Sequence, residues 1–480
     1  MSRLWSLSET VLFALFLLLV VWSDSSDAAQ ALTLNEAVRI ALDRNLTMAD
    51  SRLAITEKEY QGREAFSDFF PLAITQYNGI VDRYGHPDPF YNLKKYSISN
   101  NGFHDSRYSG KQQAARMAPF NLHPTYPYRI DPFRQFTSAA TITQPIYSGG
   151  KLINEYKYAK MGVDYSAIQY EANRQDLILN VNQAYYQTML AQKLLQVSNA
   201  AIHALEALVY QTRTFYEAGT VAPVDVLSTG GQLAQAMIQR TQSVSDIAQN
   251  QATLNYLLRN PQETPIKIIE DISYRPSEYN LPDAYSIAAA NRVEIRQANI
   301  SVDQALALVK SAKADLVPNI DFALFGTRYN DDWNIIDSEG FNDWKIQGLL
   351  TWTFDMFRKR STVAERRTAG ATTIVRRKLL VETIMNEVKQ AYDEMQRNYY
   401  NIADNKAAVE FQSENFRINL NRYKEQVANY VEVLDAQRQL QLAQGNYYVA
   451  ICGFKIGQAT LERKMGILRQ EKSGKIANTM

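Results

Sequence analysis

The residues of this chain that could do covalent or metal chemistry are few and poorly spaced for it. There is one cysteine, Cys452, and three of the four histidines, His86, His104 and His123, fall in one stretch. Metal ligands usually pair within a few residues, whereas these histidines stand 18 and 19 residues apart. They read as solvated loop residues. A lone cysteine excludes an intrachain disulfide and argues against a cysteine cluster. No nucleophile motif, metal-ligand pair or glycine-rich phosphate loop is present. The chain reads as no enzyme, with no cofactor and no metal site. Lys plus Arg number 51 against 50 Asp plus Glu, a balance that gives no signal for nucleic acid.

With no reaction centre to position, the elements themselves become informative. The stretch QATL occurs at Gln251–Leu254 and again at Gln458–Leu461, 207 residues apart. At the same offset VNQAY (Val181–Tyr185) faces VKQAY (Val388–Tyr392), and Y…VDVL…QL from Tyr216 faces Y…VEVL…QL from Tyr423. Nearer the N-terminus the offset is 247: LNEAVRIAL (Leu34–Leu42) faces LPDAYSIAA (Leu281–Ala289), and Pro71 faces Pro318. The chain is therefore an internal duplication, and the first copy carries 40 extra residues between Pro71 and Val181. Fixed-offset similarity constrains a fold more than local propensity does.

The first 31 residues read as an export signal: Arg3, an apolar core Val11–Trp22, and a small-residue cut site after Ala29 or Ala31. An uncleaved anchor is the alternative. No other apolar run approaches a membrane helix, so a mature chain that spans a membrane must do so as a closed β-barrel.

Each repeat follows one plan. A helix (Leu34 to about Phe66; Pro282 to about Ala314) ends at a proline, and two strand-like runs follow. In the second repeat these are Asp321–Tyr329 and Trp344–Phe354. The latter sets Ile346, Leu350, Trp352 and Phe354 on one face and Lys345, Gln347, Thr351 and Thr353 on the other, as a strand between lipid and water would. A soluble sheet edge is the bland alternative. The first repeat offers Ala73–Val81 and Phe136–Tyr147. Long proline-free helical stretches come next, Lys151–Tyr216 and Arg358–Tyr430. At ~1.5 Å per residue each makes a rod of roughly 100 Å, which implies a coiled-coil-like body. The first rod turns at 216–227, with Gly219 and Pro223 in the turn and Asp225 at the start of the return helix. The second turns at 423–435, where Gln426 replaces the glycine and Asn429 is the residue expected to supply the turn. Four strands cannot close a membrane barrel, for which about eight is the minimum, so several chains would have to share one.

These features together resemble the outer-membrane factor family, the TolC-like channels of tripartite efflux pumps and type I secretion systems. The matching residues are LTLNEAVRIALDRN from Leu32, QPIYSGG (Gln144–Gly150), YEAGTVAPVDVL (Tyr216–Leu227) and YVEVLDAQRQL (Tyr430–Leu440). The resemblance covers the whole mature chain in both repeats. It implies a mainly α fold with a small β part: a homotrimer whose duplicated helical hairpins form a periplasmic α-barrel tunnel, with four strands per chain in a 12-stranded outer-membrane barrel. The layout it implies is a signal at 1–31, a first repeat at 32–260, an equatorial linker at 261–281, a second repeat at 282–466 and a tail at 467–480. The function implied is passive export from the outer membrane through the periplasm. Partners would be a periplasmic adaptor, an inner-membrane transporter that supplies the energy, and outer-membrane lipid.

Residue by residue, the resemblance puts acidic rings at the constricted periplasmic entrance on Glu432 and Asp435. The plain alternative is two acids solvating a helix surface. It puts a closing link on Tyr423 and Asp225. The basic residue of a second family link is Ala428 here, a departure that leaves the full closing network in doubt. Adaptor docking falls on the tips, Gly219, Thr220, Val221, Ala222, Pro223, Val427, Ala428 and Asn429. The insertion at 82–135, with six prolines, would be an external loop, a lid or a recognition surface. An exported coiled-coil scaffold that conducts nothing is the competing reading. It leaves the paired strands unexplained.

Overall fold

The computed structural model describes residues 31–82, 133–270, 272–277, 279–330 and 341–468. The export signal up to residue 30, the insertion with its three histidines, and the tail from residue 469 lie outside the described residues. The chain divides into two units. One, helical, comprises Met1–Thr56, Tyr165–Asn299 and Val375–Met480; the other, which holds the main sheet, comprises Glu57–Asp164 and Ile300–Ile374.

Strand β1 (Ala31–Leu32) leads into α1 (Leu34–Arg44) and α2 (Leu46–Ser67), the latter shared between the two units. The single opening helix expected from the sequence is thus two helices, broken at Asn45. Thr33 and Glu36 form a reciprocal capping box that starts α1. The second repeat does the same: Asn280 caps α5 (Leu281–Asn291), with Pro282 in its first turn, and α6 (Val293–Ala314) follows a break at Arg292. The two breaks are equivalent in the repeat. Asn45 donates to the Leu257 carbonyl at 3.1 Å, and Arg292 donates to the Lys464 carbonyl at 2.8 Å.

The long hairpins are α3 (Lys151–Glu217) with α4 (Pro223–Leu258), and α7 (Met356–Lys424) with α8 (Tyr430–Met465). The repeated motifs supply their buried contacts. Val181 and Val388 are fully buried, as is Leu254, and Leu461 is nearly so. One core gathers Ala37, Val181, Tyr185, Met189, Leu254 and Leu258. Another gathers Ile384, Val388, Met395, Ile451, Phe454 and Leu461. Burial of such side chains contributes about 1.5–3 kcal/mol each, which is why the duplication shows most clearly at these positions. The Tyr185 hydroxyl donates to the Leu32 and Ile269 carbonyls at 3.1 and 2.7 Å. It thereby anchors the parallel pairing of β1 with β4 (Lys267–Ile268). Cys452 is buried, and that burial pushes its thiol up to about 12, so it is chemically quiet.

A partly buried ionic cluster joins α3, the α5–α6 break, α7 and α8 in this unit. Arg463 donates to Asp176 at 2.6 Å and to Glu294 at 2.9 Å. Arg292 donates to Glu294 at 2.7 Å and to Glu387 at 2.8 Å, and Lys464 reaches Glu387 at 3.0 Å. Burial alone would raise the Glu294 carboxyl, but the guanidiniums of Arg292 and Arg463 outweigh it and hold the group below the usual range.

In the second unit, β2 (Leu72–Asp82), β3 (Phe133–Tyr147), β5 (Asn319–Asn330) and β6 (Phe341–Thr351) form one antiparallel sheet in that order. Residues paired across strands share a face. Ile142, Leu324 and Ile346 therefore lie together, as do Ile320 with Leu350 and Phe322 with Gly348. Ile142, Ile320, Phe322, Leu324, Ile346 and Leu350 are all at least one-third exposed. The opposite face carries Thr141, Thr143, Asp321, Lys345, Gln347 and Thr351, with the Lys345 ammonium 4.7 Å from the Phe325 ring centroid.

Strand β6 stops short of the expected end at Phe354. Trp352 and Phe354 lie beyond it, so they are not strand positions. The ladder ends because Pro318, next along β5, has no N–H to donate. Just past the ladder the Trp352 indole donates to the Leu316 carbonyl at 3.3 Å, and Lys359 donates to the Thr353 carbonyl at 2.9 Å.

Candidate functional site

The sequence placed its functional residues at the two hairpin turns and on the sheet. The two turns are built alike. At the first, the Thr220 N–H reaches back to the Phe215 carbonyl at 2.9 Å, and Gly219 adopts a left-handed backbone with φ 74°. At the second, the Val427 N–H reaches the Arg422 carbonyl at 2.9 Å, and Gln426 itself takes φ 61°. Both are the six-to-one helix stop that normally employs glycine. The expectation that Asn429 would supply the second turn is thus corrected. Gln426 makes the turn, and Asn429 caps α8, its side chain accepting from the Val431 N–H at 3.1 Å. A side chain in the left-handed region costs about 1–2 kcal/mol. Gln426→Gly is therefore expected to raise the heat-unfolding midpoint of the detergent-solubilised protein, with a gain of about 0.5–1 kcal/mol after glycine's greater unfolded-state entropy is subtracted. An unchanged or lower midpoint would contradict it.

Past the first turn Pro223 occupies the first helical position of α4, where its missing N–H costs nothing, and Asp225 sits in the first turn. Thr220, Ala222, Pro223, Val224 and Leu227 are exposed, as are Gly219 and, at the second turn, Val427. Val221 and Ala428 are half-buried.

Tyr423 is 3% exposed and packs in a core with Leu205, Leu208, Phe215 and Val433. Its ring meets Phe215 edge-on at 5.5 Å, and its hydroxyl hydrogen-bonds Thr212 Oγ1 at 2.8 Å. The hydrogen-bond partner is thus Thr212, on the preceding turn of α3, with Asp225 within electrostatic reach. Burial pushes the phenol above its ordinary range, against the Thr212 bond, and the Asp225 carboxylate adds to the rise. Thr212 carries no charge and no motif, so nothing in the sequence singled it out.

Glu432 and Asp435 both stand at the start of α8, and neither carboxylate is alone. Arg422 Nη1 lies 3.2 Å from Glu432 and Arg438 Nη2 lies 2.8 Å from Asp435. Arg438 lies within the matching stretch Tyr430–Leu440, but only the acids carried an implied role, and Arg422 lies outside it. An i, i+3 spacing on the return helix would have found Arg438. Among the described residues no group of three or more His, Cys, Asp or Glu could hold a metal ion. No described helix is long and apolar enough to cross a membrane. What the arrangement can do chemically is present charge and surface, at the turns and on the sheet.

The model of the outer membrane efflux protein family matches residues 112–258 and 284–466, one match in each repeat. Nodulation protein T of Rhizobium leguminosarum bv. viciae is 24% identical over 304 residues, 61% of each chain. The toluene efflux pump outer membrane protein TtgF of Pseudomonas putida is 23% identical over 280 residues, 56% of each chain. The chain thus spans less than two thirds of the length of these relatives. Among solved structures, the outer membrane protein VceC of Vibrio cholerae superimposes with a TM-score of 0.72 at 14% identity, covering 90% of this chain and 96% of that one. At that identity the likeness is one of fold. With the family model matching more than half of the chain and falling on both repeats, the chain belongs to the outer membrane efflux protein family, the TolC-like outer-membrane channels.

Proposed function

We propose that this outer-membrane protein is a passive export duct assembled from three copies of the chain. Each copy contributes four strands to one 12-stranded barrel, and the paired hairpins of all three build a tube into the periplasm. The observation that carries the reading is the sheet. Among the described strands, the edge strands β2 and β6 each have one neighbour, and one face is exposed and largely apolar. Unpaired edges and an apolar face are tolerated where further strands close the sheet and lipid covers it. In this reading Ile346 and Leu350 face lipid, and Trp352 and Phe354, just past the strand, take the place of an interfacial aromatic belt.

The repeats would divide at the linker 261–281, giving a first duct segment at 32–260 and a second at 282–466. The tips at 216–227 and 423–435 would receive a periplasmic adaptor, with exposed Val224, Leu227, Val427 and Val431 offering apolar anchors beside the small residues. An inner-membrane transporter would supply the energy. Glu432 and Asp435 would ring the constricted entrance, and Tyr423 with Asp225 would help hold it closed. The cargo is left to the transporter. Purified protein added to a planar lipid bilayer is expected to give stepwise ion conductance. A well-folded preparation that adds none at any concentration would sink the duct.

A further inference from the structure

We propose that Arg422 and Arg438 set the charge of the entrance, making it a balanced ring of paired ions in place of a filter for cations. The inference rests on the reading that Glu432 and Asp435 line the opening, and the geometry takes it further. The last turn of α7 supplies Arg422, whose Nη1 crosses the hairpin tip to within 3.2 Å of Glu432 Oε2. One turn beyond Asp435 on α8, Arg438 Nη2 donates to Asp435 Oδ1 at 2.8 Å. Each guanidinium is held by the carboxylate it neutralises. In the proposed ring each arginine would present its charge beside the acid it pairs with.

Both pairs are well exposed, 48% on each side for Arg422–Glu432 and 61% on each side for Arg438–Asp435. Exposed pairs of this kind add little to the strength of a hairpin. What they do change is the local field, because a ring of bare carboxylates at a narrow opening concentrates cations, whereas a ring of ion pairs does not. The device belongs to one repeat. At an offset of 207 the first tip has Phe215, Ser228 and Gly231 where the second has Arg422, Asp435 and Arg438, and only the acid at Glu432 is matched, by Asp225.

The test is the K+/Cl− permeability ratio of the full-length protein in a planar bilayer under a salt gradient. Arg422→Gln and Arg438→Gln remove the charge and keep a shorter polar side chain, and because both pairs are exposed the tip should hold its shape. The wild-type ratio is expected within about threefold of one. The double arginine variant is expected to favour K+ at least about fivefold more, the enrichment one uncompensated charge gives at ~4 Å in water. Glu432→Gln with Asp435→Gln is expected to turn the preference to Cl−. If the acid variants shift the ratio and the arginine variants leave it unchanged, the inference fails and the entrance reading stands. If neither pair shifts it in a conducting protein, these residues do not line the constriction and both fail. A protein that never conducts overturns the duct itself.

Discussion

Arg463→Ala is expected to lower the unfolding free energy by about 3 kcal/mol, the low end for breaking a buried ion pair. Arg463 is 5% exposed and donates to Asp176 on α3 and Glu294 on α6. Without it, Glu294 keeps only Arg292 as a counter-ion in a partly buried site. The loss stays near the low end because the Asp176 side chain is 53% exposed and water can take over its solvation. The sign of the pH dependence follows from the same group. The Glu294 carboxyl is held below its ordinary range in the folded chain. Its contribution is present above the unfolded value of about 4.3 and is lost as pH falls through the folded value. Acid should therefore cost the wild type more than it costs Arg463→Met, whose unfolding midpoint should fall less between pH 6 and pH 3. Far-UV circular dichroism of the solubilised protein on heating reads both effects. A midpoint for Arg463→Ala within a degree of wild type would remove the cluster from the account.

Gly466→Ala is the second large effect, also about 3 kcal/mol, from two sources that act together. Gly466 ends α8 at φ 75°, with the Ile467 N–H reaching the Glu462 carbonyl at 3.0 Å. A side chain there costs about 1 kcal/mol in backbone strain. A methyl group would also stand 2.8 Å from the Asn291 carbonyl oxygen and 2.9 Å from Arg292 Cα. These are backbone atoms that cannot rotate away, and overpacking of this sort costs about 2 kcal/mol more. The first repeat provides the control. Arg259 occupies the matching stop at φ 62° and already carries a side chain, so Arg259→Ala should change stability by well under 1 kcal/mol. Equal losses at the two sites would show that the contact with the α5–α6 break is not what makes Gly466 special.

The duplication was legible because its most similar residues are those with the least freedom. Val181, Val388, Leu254 and Leu461 sit in packed helical cores, where a repeat must preserve shape. Long helices could be read from composition, and their turns from Gly219 and Pro223. The second turn could not, since Gln426 enters a conformation that its residue type disfavours and the surrounding helix stop imposes. Strand β6 was placed but drawn three residues too far along the chain, since it runs Phe341–Thr351 and not Trp344–Phe354. Its alternation continues through Phe354, while the hydrogen-bonding ladder ends at the Asn319–Thr351 pair, just after Pro318. The breaks at Asn45 and Arg292 were invisible for a similar reason. Each is completed by a carbonyl more than 170 residues away in sequence, at Leu257 and Lys464. The Arg463 cluster likewise joins residues separated by 169 and 287 positions, for which no local pattern exists.

At the candidate entrance the sequence offered the acids and the structure added the bases. Glu432 and Asp435 were found through a motif on one helix. Arg422 lies on the other side of the turn, and its relation to Glu432 exists only once the hairpin has closed. Tyr423 and Thr212 are a comparable case. A buried hydroxyl needs a partner, but which hydroxyl supplies it depends on how α3 and α7 pack.

The mass of the detergent-solubilised particle, taken from the outer-membrane fraction with bound detergent subtracted, tests the shared barrel most directly. Three chains per particle are expected, since four strands from each are needed to complete twelve. A single chain per particle would leave the edges of β2 and β6 unclosed and contradict the duct, and the non-conducting coiled-coil scaffold would then be the better description of this protein.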